Sequence, residues 1–364
     1  MTVLSLFDGI SCGRIALERA RIDNITYYAS EIKKSAIRCS RANYPDIIHI
    51  GDVKKIRYDD GILYTEHGVL KVGTIDLLIG GSPCQDFSIA ASRWHKEQDG
   101  KYGLNGDNSS LFYEFLRLKE EIKPRYFLLE NVKMKKESER ELSNYLGCSP
   151  ININSNLVSF QNRNRLYWTN IPNITMPPDK NIDFQDYKDS DIIRCEESKV
   201  NKTPSRIRMW NNGKGAETKR NCNNITHSTK IGCLTRKQDR CPNSGLIEYK
   251  DFCRFLTRRE LELAQTLPPG YCDTLSYKQV QDVTGDGWTV DIIAHIFKCI
   301  KLMDLTVGEN GCINIWKFGF FERCAKMSGN TFNDEDYTII DGYRINKAQY
   351  KRNKELFNEY INEH

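Results

Sequence analysis

Thirteen cysteines are spread over 364 residues, and one of them stands apart by its neighbours. Cys84 lies in the run Gly80-Gly81-Ser82-Pro83-Cys84-Gln85-Asp86-Phe87-Ser88, directly after an apolar stretch. Pro83 fixes the backbone before the thiol, and a helix opening just after it would set a helix N-terminus beside the sulfur, which favours thiolate. A thiol at its ordinary pKa is scarcely ionised at neutral pH, so a nucleophilic cysteine needs such help. The other twelve read as buried free thiols. No C-x-x-C pair occurs, which removes the commonest zinc and redox spacings. Cys222, Cys233, Cys241 and Cys253 with His227 are too irregularly spaced for a zinc site, so no metal is expected.

Other residues add complementary chemistry. Glu130 ends an apolar run, and a protonated carboxyl there can hydrogen-bond N3 of a cytosine ring while accepting from its exocyclic amine. Gln161-x-Arg163-x-Arg165 alternates at strand spacing, which puts two guanidinium groups on one face, suited to phosphate or a base carbonyl. As a charge pattern alone, a solvated strand edge explains it better. Phe7-Asp8-Gly9-Ile10-Ser11-Cys12-Gly13 lacks the G-x-G-x-x-G spacing that cradles a pyrophosphate. Gly9 and Gly13 still permit close approach of a ligand, and Glu31, about twenty positions on, suits a ribose diol. The pocket therefore fits a nucleoside without a diphosphate, such as S-adenosylmethionine and unlike NAD.

These residues need a scaffold, and the apolar pattern supplies one. Val3–Phe7, Ile25–Ala29, Ile47–Ile50, Thr74–Ile79 and Tyr126–Leu129 read as strands, separated by helical patterns through Ile15–Ala20 and Leu111–Ile122. That alternation predicts a parallel sheet with crossover helices. Asp8-Gly9, Glu31, Asp52, Cys84 and Glu130 each follow one of the strands, at the carboxyl ends where open sheets bind ligands. Leu166–Trp168 reads as a later strand of the same sheet. From about Pro172 the pattern dissolves into Pro, Asn, Asp and Lys, a polar lobe reaching to about residue 250. Thr257 with Glu260 predicts a capping box, and Ile292–Met303 a second helix. Aromatic runs at Trp316–Phe321 and a charged helical stretch near Lys351–Tyr360 close the chain.

The net charge is +5, yet residues 199–240 hold eleven basic and two acidic residues, a local +9 in an otherwise acidic protein. Such a window calls for a polyanionic partner or forms a solvated loop. No apolar stretch is long enough to span a membrane, and the N-terminus lacks a basic flank and a cleavage site. A reduced, intracellular protein is expected.

Taken in order, Leu4-Ser5-Leu6-Phe7-Asp8-Gly9, Gly81-Ser82-Pro83-Cys84-Gln85, Glu130-Asn131-Val132, Gln161-x-Arg163-x-Arg165 and Gly285-Asp286-Gly287-Trp288-Thr289-Val290 resemble the DNA (cytosine-5)-methyltransferases. The resemblance covers about 3–168 and 256–297. Asp86, Trp288 and the short variable lobe are similar to the animal de novo enzymes. It implies a Rossmann-like, class I S-adenosylmethionine-dependent methyltransferase fold, α/β with a mostly parallel sheet and a small polar target-recognition lobe. The catalytic domain would span 1–172 and return over 256–303, with target recognition at 173–255. Residues 304–364 would be an extension without counterpart.

Carried over by residue, the resemblance implies that Cys84 attacks C6 of a flipped-out cytosine, that Glu130 grips and protonates N3, and that Arg163 and Arg165 orient the base. It implies that Phe7, Asp8, Gly9, Ile10, Gly13, Glu31, Ile32, Asp52, Val53, Gly80, Asp286, Gly287 and Trp288 line the S-adenosyl-L-methionine pocket. Pro83, Gln85, Ser88, Asn131, Arg236 and Lys237 would contact the substrate or support its loop. The bottom-up chemistry agrees: C5 is too poor a nucleophile without addition at C6, and the base must leave the duplex to be reached. The implied partner is double-stranded DNA, and the product 5-methylcytosine. A cognate restriction endonuclease would be a genetic rather than a physical partner, and the setting cytoplasm, nucleoid or nucleus. Two alternatives stay open: a close branch of the family acts on transfer RNA, and an inactive paralogue would bind DNA only, although it would be expected to lose the Cys or Glu. Cys12 in a glycine-rich turn and Asp291, where the family often has proline, depart from the pattern.

Overall fold

The computed structural model describes residues 1–82, 110–213, 224–236, 238, 244–302 and five short strands between 305 and 346. Pro83, Cys84, Gln85, Ser88 and Lys237 lie outside the described residues, as does the helical stretch expected near Lys351–Tyr360.

Seven strands form the central sheet: β1 (Thr2–Leu6), β2 (Thr26–Ser30), β3 (Ile48–His49), β7 (Leu77–Gly81), β8 (Tyr126–Val132), β9 (Ile151–Asn154) and β10 (Asn164–Thr169). Their order is β3-β2-β1-β7-β8-β10-β9. Pairing is parallel from β3 through β8, and β10 runs antiparallel between β8 and β9. Alternation along β1 sends Val3 to one apolar cluster and Leu4 and Leu6 to another, so both faces are covered. On one side α1 (Cys12–Arg19) packs against α9 (Val290–Leu302). On the other, α3 (Ser110–Ile122) and α4 (Lys136–Leu146) contribute Phe112, Phe115, Leu118 and Leu142. Strand order reverses between β1 and β7, and the crevice outside their carboxyl ends is where such sheets bind ligands.

Several elements differ from expectation. The third strand shrinks to Ile48–His49, since Gly51 turns the chain away with φ 83°. An unexpected meander follows: β4 (Arg57–Asp59), β5 (Ile62–Thr65) and β6 (Gly68–Lys71). Its first turn, Asp60-Gly61, has φ of 41° and 80°, the mirror-image geometry that suits strand twist. The polar lobe carries α5 (Ile192–Glu197), α6 (Pro204–Gly213) and a hairpin of β11 (Ile247–Tyr249) and β12 (Phe252–Arg254). It has its own small core of Val200, Trp210, Leu246, Phe252, Cys253 and Phe255. The expected capping box forms at α7 (Arg258–Ala264), where the Thr257 hydroxyl and Glu260 bond each other's backbone N–H. Beyond α9, β13 (Leu305–Val307), β14 (Ile313–Lys317) and β15 (Phe320–Phe321) make one antiparallel sheet, and β16 (Tyr337–Ile340) and β17 (Tyr343–Asn346) another. Among the described residues, no helix is long and apolar enough to cross a membrane.

Candidate active site

The turn after β1 coils tightly: Phe7, Gly9 and Ser11 take φ of 56°, 62° and 61°. Non-glycine residues held there store strain, a habit of ligand sites. Glu31, just past β2, ties the turn down. Its Oε2 accepts from Gly9 N at 2.8 Å, and Oε1 from Ile32 N and Lys33 N, both at 2.8 Å. A carboxylate offers about four lone-pair positions, so Oε2 keeps room for one more donor such as a ribose hydroxyl. Ile32 is 70% exposed beside it, an apolar face for a base. Gly80 on β7 lies so close to Phe115 and Leu6 O that a Cβ would sit 3.0 and 3.2 Å from them. Asp52 caps a 3-10 turn by accepting from Lys54 N at 3.0 Å, and its own N–H donates to Glu66 of the meander.

Four of the cofactor residues expected from the resemblance behave otherwise. Asp8 turns its carboxylate inward, where it accepts from the Ser11 hydroxyl at 2.5 Å and the Tyr27 hydroxyl at 2.7 Å. Burial pushes that carboxyl up, against the pull of the surrounding hydroxyls. Only its backbone is left for the cleft. Ile10 and Val53 are 1% and 4% exposed and belong to the apolar clusters. Gly13 is a packing glycine, since a Cβ would lie 2.5 Å from Ile79 and 2.8 Å from the Tyr27 hydroxyl. The neighbouring Cys12 is inert: burial pushes its thiol to about 12.

Glu130 sits on β8, 7% exposed, and both its oxygens are held. Arg165 Nε lies 2.9 Å from Oε1, and the Trp288 indole N–H donates to Oε2 at 2.9 Å. Gly81 makes this possible, because a Cβ there would lie 2.8 Å from the indole nitrogen and 3.1 Å from Oε2. Asn131, 1% exposed, donates to the Ser82 hydroxyl at 3.0 Å and carbonyl at 3.4 Å. It anchors the start of the Cys84 segment.

The two arginines share a face, as their spacing predicts, but only one reaches Glu130. Arg163 precedes β10, is 3% exposed, and donates to the carbonyls of Leu234 (3.2 Å), Gly285 (3.3 Å) and Gly287 (2.9 Å). Its guanidinium is spent on a seam between the lobe and the chain's return, while Arg165 reaches Glu130. Gln161 serves the same seam, accepting from Leu234 N at 2.8 Å and donating to Ala264 O at 2.9 Å. At Gly285 a Cβ would lie 2.4 Å from Arg236 N. Between the arginines lies Cys233, 3.5 Å from Arg163 and 3.8 Å from Arg165. Burial alone would raise its thiol, but the two guanidiniums hold it below its ordinary value. Sequence reading set Cys233 aside as a failed zinc ligand, and no local pattern marks it.

The basic window is partly neutralised within the chain. Lys230 donates to the carbonyls of Asn156 and Ser159 at 2.8 and 3.1 Å. Arg236, expected at the substrate, pairs with Asp282 at 2.7 Å and Asp286 at 3.5 Å, which also hold Lys33 beside Glu31. Asp291, the departure from the family pattern, pairs with Arg19 at 2.6 Å and Lys180 at 2.8 Å.

Residues 1–147 match the family described as C-5 cytosine-specific DNA methylase. The orphan methyltransferase M.Rho11sI of Bacillus phage rho11s is 35% identical over 135 residues, 36% of this chain and 23% of that protein. The type II methyltransferase M1.ScrFI of Lactococcus lactis subsp. cremoris is 34% identical over 139 residues, 38% of this chain and 30% of that one. The matched stretch thus spans less than a third of these relatives' length. Among solved structures, an Entamoeba histolytica methyltransferase has a TM-score of 0.61 at 17% identity, covering 84% of this chain and 98% of that one. The Dnmt2 methyltransferase of S. pombe has a TM-score of 0.56 at 15% identity, covering 82% and 97%. At these identities the likeness is one of fold, the class I S-adenosylmethionine-dependent methyltransferase fold expected from the sequence.

Proposed function

We propose that this chain, whose residues 1–147 match the C-5 cytosine-specific DNA methylase family, moves a methyl group from S-adenosyl-L-methionine to C5 of a cytosine drawn out of DNA. The observation that carries the reading is the buried Glu130 carboxylate, fixed by Arg165 and Trp288 on the strand beside the one that leads into Cys84. The bound cofactor supplies an electrophilic methyl on a sulfonium sulfur. Its fit is supported by the open glycine turn at Gly9, the spare lone pair of Glu31 and the exposed face of Ile32.

The chain's own residues do the rest. The Cys84 thiolate bonds to C6 while Glu130 delivers a proton to N3, so the electron pair of the C5–C6 double bond becomes available at C5. C5 takes the methyl. Loss of the C5 proton to a base then restores the double bond and expels the Cys84 thiolate, and the N3 proton returns to Glu130, giving 5-methylcytosine and a reprotonated Glu130. Arg165 keeps the Glu130 carboxyl aimed at the ring, and Asn131 fixes the base of the Cys84 segment. Extrusion of the cytosine makes the atoms reachable. Lys199, Lys202, Arg206 and Arg208 bring positive charge to the lobe for the phosphates.

Duplex DNA carrying 5-fluorocytosine tests this directly, because fluorine cannot leave as the proton does and the adduct is trapped. We expect a cofactor-dependent, denaturant-resistant protein–DNA band that vanishes in Cys84→Ser. A band that survives in Cys84→Ser would remove the proposed nucleophile. Methyl incorporation confined to transfer RNA would move the substrate to RNA.

A further inference from the structure

We propose that Trp288 is a positioning residue for Glu130: its indole N–H fixes one oxygen of the carboxylate while Arg165 fixes the other. The inference rests on the reading of Glu130 as the carboxyl that grips the base. It goes beyond lining a pocket, because it gives the indole nitrogen a task in the chemistry.

The geometry is specific. The indole spans from Gly13 in the first turn of α1, where an added Cβ would lie 3.7 Å from the ring, to Glu130 Oε2 on β8 at 2.9 Å. It passes over Gly81, where any side chain would occupy the same space. Its backbone is fixed from behind, since Gly287 O accepts from Arg163 at 2.9 Å and from Gln265 at 3.1 Å. With Arg165 on Oε1 and Trp288 on Oε2, the plane of the carboxylate is set from both sides. Each oxygen keeps a lone-pair position for the ring.

Among the described residues, the charged and titratable groups around Glu130 are Arg165 and Tyr167 on β10, Arg163 before that strand, and Cys233 from the lobe behind the arginines. Trp288 adds the neutral donor. Removing it leaves Arg165 on Oε1 and takes away the hydrogen bond that fixes Oε2.

The test compares kcat and KM for methyl transfer to duplex DNA by wild type and Trp288→Phe. Losing one hydrogen bond that orients a reacting group costs about tenfold in rate. We expect kcat to fall by about that factor in Trp288→Phe while KM for DNA stays within about twofold. An unchanged kcat in a Trp288→Phe protein that still binds cofactor would overturn the proposal. A second measurement needs no turnover. The chain has five tryptophans, and the indole N–H resonance missing from Trp288→Phe identifies Trp288. Glu130→Gln must shift that resonance and leave the others in place; if it does not, the contact is absent and the proposal fails. Wild-type protein that methylates no nucleic acid would instead sink the functional reading, while the resonance still decides the contact.

Discussion

Two walls of the molecule are held by different forces. The wall at the ends of β1, β2 and β7 is made of backbone: positive-φ turns, close-packed glycines and N–H groups converging on Glu31. The other, a buried seam where the lobe meets the returning chain, is made of long polar side chains: Arg163, Gln161, Arg254 and Glu260. A backbone wall tolerates loss of single charges and fails when a Cβ is added. A side-chain wall fails when one partner of a buried pair is removed. The two walls should therefore respond differently to the same kinds of change.

The largest effect is expected at Glu260. It is fully buried and takes both donors of Arg254, at 2.7 and 2.9 Å, besides the N–H groups of Thr257 and Asp189. Truncation in Glu260→Ala strands the buried guanidinium and should cost about 3–5 kcal/mol. The measurement is the urea midpoint at unchanged slope. Removing both charges together, in Arg254→Met with Glu260→Leu, should recover much of the loss. A cost below about 1 kcal/mol for Glu260→Ala would mean that the lobe is docked by its apolar contacts instead.

Acid should separate the walls more gently. Burial, aided by Arg41, pushes His49 in the sheet down to about 4, and its Nδ1 has no hydrogen-bond partner among the described residues. The fold therefore favours neutral His49. Its contribution is complete above the unfolded value near 6.5 and is lost as pH falls toward 4. Asp189 in the lobe is held at about 2: burial works against it, but Arg194, Asp191 N–H and the Thr257 hydroxyl outweigh burial. Its contribution is present above about 3.9 and fades toward 2. Stability curves should thus fall in two stages. His49→Gln should erase the upper stage and Asp189→Asn the lower. A single stage in both variants would merge the two walls into one.

The backbone wall was the part written in the sequence. Apolar runs and turn residues are local signals, so β1 and β2 are found within one residue and β7 and β8 within three, with Glu31 just past β2 and Glu130 inside the longer β8. Even there, side-chain direction escaped: Asp8 and Ile10 follow β1 as expected but face inward, because Tyr27 and the core claim them. The second wall left almost no local trace. Arg163 pairs with carbonyls over 70 to 124 residues away, and Cys233 owes its character to two arginines on another segment. No periodicity encodes such distances. The lobe looked featureless since its small core draws on residues spread from Val200 to Phe255. Trp288 stood out in the sequence through its motif, but its bond to Glu130 required the fold.

The smallest effect should come from Arg236. It pairs with Asp282 and Asp286, yet its side chain is 49% exposed, and Lys33 stays on both carboxylates when it is gone. Exposed pairs of this kind contribute up to about 1 kcal/mol and are screened by salt. Arg236→Gln should therefore shift the urea midpoint slightly at low ionic strength and leave it unchanged at high salt. The segment itself stays in place, because Arg163 holds Leu234 O and the backbone of Arg236 rests directly on Gly285. A loss as large as that of Glu260→Ala would put surface charges, rather than the buried pair, in command of the lobe.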